Sequence, residues 1–380
     1  MPRVVFFDHM LSRAGDVPQV PKRLSSIKPP ERCPHCNSTR LVKKGTRKKK
    51  LERVPLYRCR ACGRTFSAGP LAIRNKTYPL PEILEALTLY NRGNTLEETA
   101  TKTSSRYGHS VAASTTSRWL SEHPTLTSYR RLRTRGRRLF SPTRIIRAQK
   151  LYHRQVYEFA YHRAKLAFLK DGTLDDKRAA GAGSTSRFSG LADFLESVPT
   201  ACPHDLFRKD DSSRSSQLDS AFIDPARLTV IEKQNIATET AALIVPSVGT
   251  NYERHPKLQR FMLANDSVTV AIEVPIWLTA HDIKAIEAEH GVVIGSAGNS
   301  ITGHIDFIQV RNGAVHILDY KPDARTNKPI AQLTVYALAL SRLTGIKLFD
   351  IKCAWFNENE YCEFFPRKLF SRQIPKPTRP

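Results

Sequence analysis

Asn312-Gly313 divides two apolar runs, Thr302-Gly-His-Ile-Asp-Phe-Ile-Gln-Val-Arg311 before it and Ala314-Val-His-Ile-Leu-Asp-Tyr-Lys321 after it. An Asn-Gly pair in that setting is the strongest short-range signal for a two-residue β-hairpin turn. The turn fixes the register. Arg311 faces Ala314, and carrying the pairing along both strands sets Asp306 against Asp319. Directly opposed residues project to one face, with Cβ atoms about 5 Å apart. Lys321 lies two residues beyond Asp319 and shares that face. Opposed carboxylates repel unless something cationic sits between them. The hairpin therefore gathers two acids and a lysine, and a divalent cation on oxygen ligands would relieve the repulsion.

Gly303-His-Ile-Asp306, Leu318-Asp-Tyr-Lys321 and Gln332-x-x-x-Tyr336 follow one another in that order. Together they resemble the PD-(D/E)XK nuclease superfamily, in particular its RecB-like branch, over Thr238 to Pro366. The resemblance implies an α/β restriction-endonuclease-like core with a mixed sheet, and metal-dependent hydrolysis of phosphodiester bonds. It implies that Asp306 and Asp319 hold Mg²⁺ or Mn²⁺, with the carbonyl of Tyr320 adding an oxygen. Lys321 would orient the attacking water or stabilise charge on the phosphate. Gln332 and Tyr336, one helical turn apart, would contact the DNA backbone or support the lysine. Helical periodicity alone makes Tyr336 a core residue. Members of this branch usually add one more ligand, often a histidine, from a helix ahead of the sheet. His255 is the first choice, with Glu253, Glu239 and Glu273 as rivals. Glu273 stands out as an acid inside the apolar run Val268 to Trp277. Its alternative is an edge-strand acid beside Pro275.

Charge divides the chain. Of 380 residues, 60 are Lys or Arg and 35 Asp or Glu, a net of +25. Residues 1–170 hold 36 of the basic and 10 of the acidic residues, whereas residues 171–380 hold 24 and 25. The first half is the polyanion-facing half, and DNA is the natural partner. No apolar run is long enough to span a membrane. The start, Met1-Pro-Arg-Val-Val-Phe-Phe-Asp, lacks the layout of a signal peptide. The expected location is cytoplasmic and nucleoid-associated, or nuclear in a eukaryote, and not secreted. Nothing in the sequence names a protein partner.

Residues 1–30 read as a mobile arm. Cys33-Pro-His-Cys36 and Cys59-Arg-Ala-Cys62 follow, with 22 residues between the pairs. Two Cys-x2-Cys knuckles at this separation predict a closed four-thiolate zinc site over residues 31–75. Lys43 to Lys50 forms a basic tip, with Lys48, Lys49 and Lys50 suited to phosphate contact. The stretch around Tyr57 to Phe66 resembles zinc ribbons at the N-terminus of insertion-sequence transposases. Residues 77–123 continue that resemblance as a helix-turn-helix. Pro81 opens a helix that Gly93 closes, Thr95-x-x-Glu98 is a capping box, and Ser114 caps a third helix over Thr115 to Glu122. Thr115, Thr116, Ser117 and Arg118 would face a major groove.

Residues 124–227 read as a basic and helical linker region. Arg130 to Arg138 is a groove- or phosphate-tracking arm or a solvated linker. Thr143 to Lys170 is expected as one long helix, and residues 171–220 as linker with an apolar island at Leu191 to Val198. The nuclease core is expected over 228–366 and a basic tail over 367–380. Cys202, Cys353 and Cys362 are read as ordinary thiols, with no iron–sulfur cluster. The whole is an α+β multidomain chain: zinc ribbon, helix-turn-helix, then the mixed-sheet core. The function expected is a DNA-binding nuclease of a mobile element or of a defence or recombination system. The alternative is an accessory or regulatory DNA-binding protein of a mobile element whose nuclease fold is not catalytic.

Overall fold

The computed structural model describes residues 30–48, 51–67, 77–171, 186–208, 212–218, 223, 228–248, 251–291, 293–294 and 300–370. The expected arm at 1–30 and the end of the tail fall almost wholly outside them, as do Lys49 and Lys50. In chain order the elements begin with strands β1 (Leu41–Lys48), β2 (Arg53–Cys59) and β3 (Thr65–Ser67). Helices α1 (Leu80–Asn91), α2 (Leu96–Tyr107), α3 (Ala113–Glu122) and α4 (Arg130–Leu139) come next. Then come β4 (Ile146–His153), β5 (Gln155–His162), α5 (Arg163–Lys170), α6 (Ser189–Ala201), β6 (Ser212–Arg214) and β7 (Ile231–Glu232). They are followed by α7 (Ile236–Ile244), α8 (Asn251–Asn265), β8 (Thr269–Thr279), α9 (Ala280–His290), β9 (Ser300–Arg311) and β10 (Ala314–Tyr320). Last are α10 (Ile330–Thr344), β11 (Ile351–Phe356), β12 (Tyr361–Phe364) and α11 (Arg367–Phe370). No helix among the described residues is long and apolar enough to cross a membrane.

The described residues form two compact units. One takes Ile146–Asn235 and the chain from Val268 onward, and the other takes the chain up to Ile145 together with Ile236–Ser267.

The first unit is built on a nine-stranded mixed sheet in the order β4-β5-β8-β9-β10-β11-β12-β7, with β6 joining β9. Its centre is the expected hairpin. Asn312 and Gly313 both have positive φ, 51° and 68°, as a primed two-residue turn requires. Pairing runs from Arg311↔Ala314 to Phe307↔Leu318 in the register read from sequence. The chain leaves β10, crosses through α10 and returns as β11, parallel to β10. Such a connection needs a helix on the sheet face. Leu333 to Leu340 of α10 are all buried, so the helix is apolar nearly all round and sits inside the core.

Residues 143–170 depart from the expected long helix. Ile146–His153 and Gln155–His162 form an antiparallel hairpin, and only Arg163–Lys170 is helical. The apolar residues fit a helical spacing, but Tyr152, Val156, Tyr157, Phe159 and Tyr161 are β-branched or aromatic and favour a pleated surface. The turn rests on Arg154 in the left-handed region, φ 56°, which no Gly or Asn announces. The apolar island at Leu191 to Val198 is part of α6, with Leu191, Leu195 and Val198 fully buried in the main core. That stretch is core rather than linker.

In the second unit, β1, β2 and β3 make a three-stranded antiparallel sheet. The basic tip is strand as far as Lys48, and Lys43, Lys44, Arg47 and Lys48 are exposed. Helices α1, α2 and α3 pack on one another. Thr95 and Glu98 form the expected capping box, and Gly108 ends α2 in the left-handed conformation. Ser114 does not cap α3, which begins at Ala113 with no side-chain cap. Arg130 to Arg138 is helical. Leu132 and Gly136 anchor α4, and the Arg133 guanidinium lies 3.6 Å from the Tyr90 ring centroid while donating to the carbonyl of Tyr90. Helix α8 packs against α1, where a buried amide pair closes the contact. Asn91 Nδ2 donates to Asn265 Oδ1 at 2.7 Å and to the carbonyl of Leu126 at 2.9 Å. Residues 236–267 thus belong with the helices of the basic half.

Candidate metal centre and its surroundings

The hairpin delivers its acids to the end of the β9–β10 ladder. Asp306 and Asp319 are 8% and 2% exposed, deep burial for carboxylates. The ladder stops at Phe307↔Leu318, one step short of the expected Asp306–Asp319 pair. There the Asp306 carboxylate replaces the strand's next acceptor, taking the Tyr320 N–H at 3.0 Å. Lys321 is held by its own backbone N–H, which donates to the Phe356 carbonyl at 2.9 Å and so extends the pairing with β11. Its Nζ reaches Asp319 Oδ2 at 3.0 Å. Burial pulls the Lys321 ammonium down, but the charges of Asp319 and Asp306 outweigh it and hold its pKa above the ordinary value. The same two acids place the Lys321 ammonium where it can donate hydrogen bonds beside them.

Glu273 lies on β8, which is a central strand between β5 and β9, not an edge. The β5 ladder covers only Ala271 and Ile272 of β8, so Pro275 lies beyond it and costs that ladder no donor. Pairing of Ile272 with Phe307 and of Val274 with Ile305 sets Glu273 opposite Asp306. Carboxylate oxygens of the two lie within 4.8 Å of each other. Glu273 also has φ 49°, a left-handed conformation that costs a non-glycine residue on the order of 1–2 kcal/mol. A strained backbone that turns an acid toward another acid is the kind of outlier that clusters at functional positions.

Gln332 and Tyr336 share a face of α10; Gln332 is partly exposed and Tyr336 is buried. Tyr336 is 4% exposed, which favours the core position that periodicity alone gives it over direct contact with a DNA backbone. Gln332 Nε2 donates to Tyr336 Oη at 2.8 Å. The same hydroxyl is hydrogen-bonded to Ser215, and burial with the nearby Asp319 raises its pKa well above the usual phenol value. Ser215, just after β6, carried no motif in the sequence and is the residue missed there. The network explains Gly303. A Cβ on that residue would lie 2.4 Å from Ser215 Oγ and 2.5 Å from Tyr336 Cε1. Gly303→Ala is expected to destabilise the fold by about 1–3 kcal/mol through overpacking, read as a lower urea midpoint at unchanged slope. A wild-type midpoint would show that the ring can move aside.

The remaining sequence candidates lie in the other unit. His255 and Glu253 are on α8 and Glu239 on α7; both glutamates are exposed, and the His255 ring is hydrogen-bonded to Gln259 at 3.1 Å. Thr116 is 1% exposed beside Trp119, so it packs inward and is removed from the expected groove-facing set. Ser117 and Arg118 are exposed. The four sulfurs of Cys33, Cys36, Cys59 and Cys62 all lie within 4.8 Å of one another, with Cys33–Cys62 at 3.7 Å and Cys36–Cys59 at 3.6 Å. Tetrahedral ligands at Zn–S about 2.3 Å sit about 3.8 Å apart, so the cluster fits a zinc ribbon.

The mixed sheet has a parallel crossover, with two buried acids and a lysine at its strand ends. Residues 229–362 match the family model of the PD-(D/E)XK nuclease superfamily. No curated protein and no solved structure matches the chain. The superfamily match covers less than half of the chain and leaves its basic N-terminal part unassigned.

Proposed function

We propose that the protein is a divalent-metal-dependent DNA nuclease of the RecB-like kind, whose basic N-terminal half docks on duplex DNA. The observation that carries this reading is the pair Glu273 and Asp306, with carboxylate oxygens within 4.8 Å, beside the buried Asp319 that Lys321 reaches at 3.0 Å. Mg²⁺ or Mn²⁺, when bound, supplies a Lewis acid for the phosphoryl oxygen and acidifies a coordinated water. Asp306, Asp319 and Glu273 would hold it, with the Tyr320 carbonyl as a further oxygen. His255 is proposed as an additional ligand on the resemblance alone, with Glu253 and Glu239 as its rivals. Lys321 orients the water and steadies charge on the phosphate by donating hydrogen bonds. Gln332, Tyr336 and Ser215 act through position, fixing α10 against β9 so that the hairpin end keeps its shape.

For docking, the proposed structural zinc holds the ribbon, and α1 to α3 act as a helix-turn-helix. Lys48, Ser117 and Arg118 face solvent and are the proposed DNA contacts, joined by the exposed Arg137 and Arg138 of α4. A mobile element or a defence system is the proposed setting.

The test is cleavage of single- and double-stranded DNA with Mg²⁺, Mn²⁺, Ca²⁺ or chelator present. Metal-dependent cleavage supports the reading. DNA binding without cleavage under every metal would favour the accessory, non-catalytic alternative. Glu273→Asn sharpens it, because Asn tolerates the left-handed backbone. Thermal stability should hold while Mn²⁺ affinity drops by about tenfold or more, by calorimetric titration. Unchanged affinity would remove Glu273 from the ligand set.

A further inference from the structure

A second cluster of possible metal ligands, sharing no residue with the acids, lies in the sheet unit. His153 ends β4, Cys202 caps the C-terminus of α6, and His204 opens the short 3-10 turn that follows. Each offers a ligand atom, and these atoms lie within 4.8 Å of one another. His153 and Cys202 are buried and His204 is partly so. His153 Nε2 is 2.8 Å from His204 Nδ1, and His153 Nδ1 is 2.9 Å from His304 Nε2. Aromatic rings wall the group. Phe207 stacks on His153 at 4.0 Å and Tyr157 on His304 at 3.6 Å between centroids.

We propose that His153, Cys202 and His204 form a second zinc-class metal site, with His304 as the group that orients His153. Two imidazoles and one thiolate suit zinc and exclude the hard, all-oxygen preference of Mg²⁺. A ligating histidine almost always has its other ring nitrogen held by a partner, and His304 holds His153 in that way. Around one ion the His153 and His204 nitrogens would stand a few tenths of an ångström farther apart than they do here. Cys202, read from sequence as an ordinary thiol, becomes a ligand because Pro203 and the turn bring His204 beside it. The same Cys-Pro-His triplet begins the first ribbon knuckle at Cys33. The site fastens β4 and the end of α6 together. Through His304 it also bears on β9, two residues before Asp306 and on the same face.

Cobalt substitution tests the proposal in the full-length, tag-free chain. The four ribbon cysteines are first changed to serine, so that any thiolate-to-Co²⁺ charge-transfer band must come from elsewhere. Carboxylates at the hairpin end give no such band. The expected result is a saturable band that disappears in the added variants Cys202→Ser and His204→Ala. Absence of the band in the ribbon-silenced chain overturns the proposal, as does a band that survives both added changes. Zinc content of the unaltered protein gives a second reading that needs no folded variant. Two tightly held ions are expected after exhaustive gel filtration, and one ion, wholly accounted for by the ribbon, would refute the second site.

Discussion

Asp306→Asn and Asp319→Asn are each expected to lower DNA cleavage by at least about two to three orders of magnitude while DNA affinity stays near wild type. That range is the usual cost of losing one preorganised electrostatic contact in a buried centre. Both acids are almost wholly buried, and asparagine keeps their shape while removing the charge that pairs with a divalent cation. Asp319→Asn should also lower the pKa of Lys321, because the Asp319 charge is the main influence holding that ammonium up against burial. Lys321→Ala should abolish turnover on a similar scale and leave Mn²⁺ binding largely intact, since the lysine serves water and phosphate rather than the ion. The three variants separate the roles when metal affinity, DNA affinity and single-turnover cleavage are measured together. Wild-type cleavage by either asparagine variant would remove the hairpin end as the catalytic centre. Loss of Mn²⁺ binding in Lys321→Ala would show instead that the lysine builds the metal site.

The hairpin was legible because one dipeptide pins it. With Asn312-Gly313 as the turn, period-2 alternation sets every later position, and the observed register matches from Arg311 to Phe307. The four-cysteine cluster was legible for a similar reason, since fixed Cys-x2-Cys spacing encodes a local turn. Glu273 was only half legible. Its place in an apolar run marked it, but the left-handed backbone that faces it toward Asp306 is a tertiary compromise with no composition signal. Ser215 was invisible, a serine among serines until the fold brings it under Tyr336. The β4–β5 hairpin was misread because its turn uses Arg154 rather than a turn-forming residue. The division of the chain was hidden too. Asn91 and Asn265 are 174 residues apart, and only the fold shows that each satisfies the other. A fragment ending near residue 140 would lose α8 and with it the Asn91–Asn265 bond, leaving Asn91 only its partners Leu126 and Ser128.

Cys59→Ser is expected to unfold the ribbon and weaken DNA binding while the nine-stranded sheet survives. The buried core of the ribbon is Cys33, Tyr57, Cys59 and Phe66, with Leu41 packed against it. Two of those four are cysteines of the four-sulfur cluster, so the apolar remainder is a Tyr–Phe stack at 6.3 Å and one leucine, with Val54 also buried on β2. Cores of that size rarely fold small domains unaided, and a structural zinc ion on the four sulfurs would supply the missing free energy. Backbone N–H groups of Cys62 and Ala61 point at the Cys59 sulfur and draw its thiol down to about 6, the form a metal takes up. Hydrogen exchange over residues 41–67 should rise toward unprotected rates in Cys59→Ser. Residues 300–320, in the other unit, should keep their protection. The basic face of β1 is lost with the ribbon, so the plot of log affinity against log salt should become shallower by about 0.9 for each phosphate contact removed. Retained protection in a variant shown by mass spectrometry to lack the ribbon ion would mean that the strands stand without zinc. An unchanged salt slope would place the DNA contacts elsewhere, on α3 and α4.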